Sequence, residues 1–210
     1  MHIIWHGQSC FQIIVSYNKG EQATILIDPF DASVGLKTPS LSADILLISH
    51  FHSDHNNKKA VRNTPFLIEG PGEYETKEIF IQGIASFHDD QEGKLKGLNT
   101  IYSIEAEGLK VCHLGDLGQK ELTTEQLDEI GDVDILMIDL GDKSNLNIKK
   151  AREVVESMEP RILIPMGEGD IKEALKELGS NGVEAIEKYE IKSRSELPED
   201  KRLYVLLKKV

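Results

Sequence analysis

The stretch His50-Phe51-His52-Ser53-Asp54-His55 directly follows a short apolar run, residues 45–49, that is predicted to be a buried β-strand. In an extended chain the first two histidines point to the same side. The aspartate and the last histidine, after a bend, can point to a second position. Imidazole and carboxylate groups suit Zn, Mn or Fe, so this stretch predicts a metal site. The alternative is a solvated helix N-cap formed by the same polar side chains.

Other short apolar runs, bounded by Gly, Asp and Pro, dominate the first 115 residues and predict strands. The predicted strands are 11–15, 23–27, 45–49, 65–68, 79–85, 100–105, 110–114, 135–138, 162–164 and 203–207. Three helices are expected among the later strands: one opened by the capping box Thr123-x-x-Gln126, one over 147–159, and one capped by Asp170. Strands first, then strand–helix alternation, predict sheets covered by helices in a single domain, 1–210.

Composition narrows the class of protein. The chain has 210 residues, 40% of them hydrophobic, and no apolar stretch approaches the roughly 18 residues of a transmembrane helix. Residues 1–15 lack the pattern of a signal peptide, so a cytoplasmic location is expected, with Cys10 and Cys112 reduced and buried. A net charge of −12 argues against nucleic-acid binding. The expected partner is a small-molecule substrate, with no membrane association.

The histidine–aspartate stretch resembles the HxHxDH signature of the metallo-β-lactamase superfamily, and further similarities agree in order and spacing over roughly residues 1–167. The similar positions are Asp28, His50, His52, Asp54, His55, His88, Asp116, the segment 70–75 and the pair 99–100. Within the superfamily, the chain resembles the small single-domain Zn-dependent hydrolases that include ascorbate-6-phosphate lactonase. The resemblance implies an α/β (α+β) fold, specifically a four-layered αββα sandwich.

The resemblance also implies roles for these residues. The implied ligands are His50, His52 and His88 for a first ion, and Asp54 and His55, with Asp116 shared, for a second. Asp54 would also be catalytic, orienting the attacking hydroxide or collecting its proton, and Asp28 would support the centre from outside it. The implied cofactor is Zn, as one or two ions, with Mn or Fe as alternatives.

The sequence departs from the family at the last expected ligand. Gly167 stands where the family carries a histidine, and glycine has no side chain to bind a metal. The second site is then empty or weak, or Glu168 replaces the missing ligand, or water fills the position. The segment 139–142 departs as well, where close relatives tend to carry an apolar Pro-x-Gly-Gly turn. Asp139 there is either a new ligand or a turn residue, and we favour the turn.

Two classes of function follow. The first is a metal-dependent hydrolase of a small ester, lactone or phosphodiester, using a metal-bound hydroxide. The alternative, suggested by Gly167, is a non-catalytic metal-binding or ligand-sensing module on the same scaffold.

Overall fold

Two stacked β-sheets form the centre of the molecule in the computed structural model, which describes residues 1–180 and 182–210. The first sheet has the strand order β12-β1-β2-β3-β4-β5. Its strands are β1 (His2–Gly7), β2 (Cys10–Tyr17), β3 (Glu21–Ile27), β4 (Ile45–Leu47), β5 (Phe66–Ile68) and β12 (Tyr189–Glu190). Strands β1 to β3 are antiparallel, and β3, β4 and β5 are parallel.

The second sheet has the order β13-β11-β10-β9-β8-β7-β6. Its strands are β6 (Gly72–Thr76), β7 (Ile79–Phe87), β8 (Leu98–Ala106), β9 (Leu109–His113), β10 (Ile135–Asp139), β11 (Ile162–Met166) and β13 (Leu203–Tyr204). The antiparallel half runs from β6 to β9, and the parallel half from β9 through β10 and β11 to β13. In each sheet, the carboxyl ends of the parallel strands therefore lie at the same edge.

Three helices cover the outer face of the second sheet. They are α1 (Thr124–Ile130), α2 (Ile148–Met158) and α3 (Ile171–Glu177). Each begins where the sequence predicts, because the side chains of Thr123, Asn147 and Asp170 accept hydrogen bonds from the first turn. The outer face of the first sheet is covered by a loop layer that includes two short 3-10 helices, Ala32–Val34 and Lys58–Ala60.

The main core lies between the sheets, because successive side chains of a strand point to opposite faces. In β10, Ile135 and Met137 face the first sheet, whereas Leu136 and Ile138 pack with the helices. The predicted four-layered sandwich is confirmed, with layers of helices, two sheets and the loop layer. The last predicted strand is shorter than expected: pairing stops at Tyr204, and only an isolated bridge forms further on.

Tyr102 connects the two sheets near the functional edge. Its side chain extends from β8 in the second sheet and is fully buried. The hydroxyl donates a hydrogen bond to the carbonyl oxygen of Ile48 at 2.7 Å and lies 3.3 Å from that of Ile68. Both carbonyls belong to the ends of neighbouring strands in the first sheet, so one side chain fixes the edge of one sheet against the other. In the described part of the chain, no helix combines the length and apolar character needed to cross a membrane.

Candidate metal centre

The predicted ligands all lie just beyond the carboxyl ends of strands. The HxHxDH stretch follows β4, and Asp28 follows β3 beside it. In the second sheet, His88 follows β7 and Asp116 follows β9. Since β7 and β9 are both antiparallel to β8, they end at the same edge. The two sheets therefore contribute side chains to one point from opposite sides.

Three histidines form a compact cluster at this point. The ring centroid of His50 lies 4.7 Å from that of His52 and 4.5 Å from that of His88, and the His52–His88 distance is 4.8 Å. One nitrogen from each ring lies within 4.8 Å of the others, so the three could hold one metal ion. The Nε2 atoms of His50 and His88 are buried and make no hydrogen bond to the described residues. Buried polar atoms are normally satisfied, so these two nitrogens are suited to bind a cation.

A second group shares the same pocket. His50, Asp54 and His55 also place ligand atoms within 4.8 Å of one another. Asp116 lies between the two groups: its Oδ2 is 3.3 Å from His88 Nε2, and its Oδ1 is 3.3 Å from His55 Nε2. Two carboxylate oxygens facing two ligand groups form an arrangement that could serve two ions. No helix N-cap forms in this stretch within the described residues, so that alternative is wrong.

The electrostatics of the pocket suit a cation. Burial, together with the neighbouring His55, lowers the pKa of His50 to about 3, so this imidazole is neutral at pH 7. Burial would raise the pKa of Asp116, but the surrounding histidines hold it below its usual range. Neutral imidazole and ionised carboxylate are the forms that bind metals. At His55, burial is outweighed by Asp116 and Asp28, which raise the pKa to about 9 in the metal-free protein.

Asp28 lies outside the ligand cluster and orients the rings of His50 and His55. The carboxylate is fully buried and accepts hydrogen bonds from Ser49 N at 2.7 Å and from Ser49 Oγ at 2.6 Å. Its Oδ2 also lies 3.0 Å from His55 Nδ1. Because the Ser49 hydroxyl donates to Asp28, it can only accept from His50 Nδ1, which lies 3.0 Å away. In the neutral imidazole forms that bind a metal, protons on both Nδ1 atoms leave both Nε2 lone pairs directed into the pocket.

Asn99 holds the turn that carries Asp116. Its Oδ1 accepts a hydrogen bond from Asp116 N at 3.0 Å, and its Nδ2 donates to Leu114 O at 2.9 Å and Ser86 Oγ at 2.8 Å. A Cβ added at Gly115 would overlap Asn99 Oδ1, which explains the glycine. The sequence analysis includes Asn99 only as one of the positions similar to the family and assigns it no role. Its hydrogen bonds join residues 13 to 17 positions apart, and no local pattern encodes them.

The clustered side chains open into a cavity of about 520 Å³. His52, Asp54, His55, His88 and Asp116 line one side of it. Two exposed cationic side chains, Lys96 and Lys143, also line the cavity, with Asn145. A polar cavity of this size, with metal ligands at its base and cations in its walls, could admit a small substrate.

The departures from the family pattern meet at one side of this cavity. Gly167 and Asp139 both line it. Asp139 Oδ1 accepts a hydrogen bond from Gly141 N at 2.9 Å, so the predicted turn role is confirmed. Burial and the nearby Asp116 raise the pKa of Asp139 to about 6. Glu168, one of the three alternatives for the missing ligand, has its carboxylate 3.4 Å from Lys209 Nζ and lines a different cavity.

Comparison with known proteins agrees with this architecture. Residues 2–167 match the family described as the Beta-lactamase superfamily domain, and this range contains the clustered histidines and aspartates. The chain belongs to the metallo-β-lactamase superfamily. The predicted recognition is therefore confirmed at the level of the superfamily and its fold.

Individual relatives extend the match over most of the chain. A UPF0173 protein of Pyrococcus furiosus is 28% identical over 201 residues, which cover 83% of this chain and 86% of that protein. A UPF0173 metal-dependent hydrolase of Thermococcus onnurineus is 28% identical over 189 residues, covering 76% and 81%. A solved Thermotoga maritima structure, assigned as a Zn-dependent hydrolase of this superfamily, has 30% identity and a TM-score of 0.75 over 98% of both chains. Relatives of this chain are thus named as metal-dependent hydrolases.

Proposed function

We propose that this chain is a metal-dependent hydrolase of a small ester, lactone or phosphodiester. The observation that carries the proposal is the pair of ligand groups that share Asp116, with the buried Nε2 atom of His50, which has no hydrogen-bond partner among the described residues, at their centre. A purely structural cluster would leave this nitrogen unsatisfied at a cost in stability. The cytoplasmic location and the single domain expected from the sequence stay predictions.

The proposed ligands divide between two positions. His50, His52 and His88 would hold the first ion, and Asp54 and His55, with Asp116 shared, would hold the second. Zn fits three imidazoles, and Mn or Fe also accept this mixture of nitrogen and oxygen donors. When bound, such ions lower the pKa of water and polarise an ester or phosphoryl oxygen.

The chain's own residues would bind and orient the reactants. Asp54 is the most exposed of the proposed ligands apart from His52, with 41% of its side chain accessible, and it lines the cavity. In this proposal Asp54 would orient the attacking water and collect its proton. Lys96 and Lys143 in the cavity wall favour a substrate with a negative charge near the scissile bond. This combination supports an anionic ester or a phosphodiester over a neutral lactone.

The proposal is tested by reconstitution. Protein stripped with a chelator and reloaded with Zn, Mn or Fe should bind metal in elemental analysis. It should then hydrolyse at least one of three probes: p-nitrophenyl acetate, bis-p-nitrophenyl phosphate or a small phosphorylated lactone. Turnover should disappear with the chelator and return with the ion. Failure to bind metal would overturn the proposal.

The non-catalytic module remains the second candidate, because Gly167 and Asp139 change the region of the second site. Tight metal binding without turnover of any of the three probes would favour that module. Ligand binding without turnover would then be sought by calorimetry with the same compounds.

Replacing Asp28 with alanine should weaken metal binding about 10- to 100-fold, the usual effect of removing a partner that orients metal-bound histidine. The physical reason is that His55 Nδ1 and the Ser49 hydroxyl lose their common acceptor. Metal affinity can be measured by competition with a chromophoric chelator.

Asp44→Ala is the matched control for Asp28→Ala. Asp44 also accepts a backbone hydrogen bond, from Thr24 N at 2.9 Å, but it lies at the opposite end of the first sheet. Its loss should leave metal affinity unchanged. Equal losses of affinity in the two variants would mean that Asp28 acts through general stability alone.

A further inference from the structure

We propose that Asp139 takes the place of the histidine missing at position 167 and is the fourth protein ligand of the second metal site. This inference rests on the proposed function, because it concerns the same metal centre. It differs from the sequence expectation, which favours a turn role for Asp139 and offers Glu168 as one of three alternatives at the missing ligand.

The strand register brings the two positions together. Asp139 is the last residue of β10 and pairs with Met166, the last residue of the parallel neighbour β11. Gly167 follows directly. On the other side, β10 pairs with β9, which leads into Asp116. Asp139 therefore lies at the carboxyl edge of the sheet, between the strand that carries Asp116 and the strand that carries the missing ligand.

The Asp139 carboxylate fills the space of the missing side chain. A Cβ added at Gly167 would overlap Asp139 Oδ1 and would approach Gly141 N to 2.9 Å and Gly141 Cα to 3.0 Å. The backbone of Gly167 also has φ +94°, which side chains rarely adopt. A histidine at 167 and the present position of Asp139 exclude each other, so the two departures from the family pattern form one coordinated change.

Asp139 also belongs to the wall of the metal pocket. Asp139 lines the same cavity as Asp54, His55 and Asp116. Within residues 1–180 and 182–210, neither Asp116 nor Asp139 forms an ion pair with lysine or arginine. Largely buried carboxylates are costly without a compensating cation. The buried, unpartnered Nε2 atom of His50, beside Asp54 and His55, is a separate observation that points to an ion here.

Glu168 fits the role less well. Its carboxylate lies 3.4 Å from Lys209 Nζ, so its charge already has a partner. It lines a cavity with Trp5, Ile171 and Leu207 instead of the metal pocket.

The replacement changes the chemistry of the second site. The donor set becomes one imidazole, His55, and three carboxylates, from Asp54, Asp116 and Asp139. Carboxylate oxygens suit harder cations such as Mn²⁺ better than imidazole does, although the affinity of any one site for divalent ions generally rises from Mn²⁺ to Zn²⁺. We therefore expect the preference for Zn²⁺ over Mn²⁺ to be smaller at the second site than at the three-histidine site.

The test counts ions and measures their affinity. The metal-free protein is titrated with Mn²⁺ by calorimetry, and bound Mn is counted by elemental analysis after dialysis, for the wild type, Asp139→Asn and Glu168→Gln. The substituted asparagine would keep an oxygen for the Gly141 hydrogen bond while removing the charge. The wild type and Glu168→Gln should bind two ions. Asp139→Asn should bind the second Mn²⁺ at least about 100-fold more weakly, beyond the usual effect of losing an outer partner.

Thermal unfolding of each metal-free variant verifies that the fold is intact.

Four results would overturn the inference. Two ions bound equally tightly by the wild type and Asp139→Asn, or one ion bound by both, would exclude Asp139 as a ligand and leave the hydrolase proposal standing. Loss of the second ion in Glu168→Gln, but not in Asp139→Asn, would transfer the role to Glu168. A wild type that binds no ion would overturn this inference and the proposed function together.

Discussion

Replacing Asp116 with alanine is expected to abolish tight binding of both ions and to lower kcat/KM at least about a thousandfold, equivalent to about 4 kcal/mol of transition-state stabilisation. The reason is its position: one carboxylate oxygen lies 3.3 Å from His88 Nε2 and the other 3.3 Å from His55 Nε2. Loss of this side chain removes a donor from both ligand groups at once. Elemental analysis and steady-state kinetics on the reconstituted protein measure the two effects.

Two further variants make this result interpretable. Asp90→Ala removes an exposed carboxylate two residues after His88 and should leave metal content and turnover unchanged. His50→Ala removes a nitrogen from the three-histidine group and should also eliminate turnover. Activity that survives in both Asp116→Ala and His50→Ala with the metal gone would show that the catalytic centre lies elsewhere.

Gly118→Ala should damage the first metal site without altering any ligand. A Cβ at this position would overlap the carbonyl oxygen of His88, and it would lie 2.6 Å from the carbonyl carbon and 2.9 Å from Asp89 N. Gly118 N also donates a hydrogen bond to Phe87 O at 2.9 Å, so the segment cannot simply move away. Overpacking of this kind costs about 1–3 kcal/mol. Displacement of His88 by about 1 Å should lower kcat/KM about 100-fold.

Gly70→Ala is the matched control. No described atom lies within 4 Å of a Cβ added there, and its backbone has an ordinary conformation. Urea unfolding of the metal-free proteins and kinetics of the reconstituted ones separate the loss of stability from the loss of the site. Unchanged metal affinity and turnover in Gly118→Ala would mean that the His88 backbone is more adaptable than its packing indicates.

The strands and ligand positions were predictable where the signal is local. Short apolar runs predict β3, β4 and β10, because a strand that is buried on both faces consists almost entirely of consecutive apolar residues. The ligands then follow from their positions after strand ends. By contrast, β1 was not predicted. Its six residues include two histidines and a tryptophan, and its pairing with β12 joins residues that are almost the whole chain apart.

The surroundings of Gly167 show what the sequence does not encode locally. Gly167 is recognisable as a missing ligand, but Asp139 lies 28 positions earlier, and the sequence favours only the turn role that its hydrogen bond to Gly141 N confirms. The parallel register of β10 and β11 is what places its carboxylate in the space left by the glycine. Glu168 is one of three alternatives at the missing ligand because it is adjacent in sequence, but its carboxylate lies beside Lys209 and lines a different cavity.

The origin of the ligands in two different sheets has a mechanical consequence. His50, His52, Asp54 and His55 follow the first sheet, whereas His88 and Asp116 follow the second. At this edge the sheets are already joined through the Tyr102 hydroxyl. An ion bound by both sets would act as a cross-link between the halves of the sandwich, much as a disulfide does in an exported protein. At a concentration a thousand times its dissociation constant, such an ion would contribute about 4 kcal/mol against separation of the sheets. Metal supply would then govern the lifetime of the folded chain as well as its chemistry.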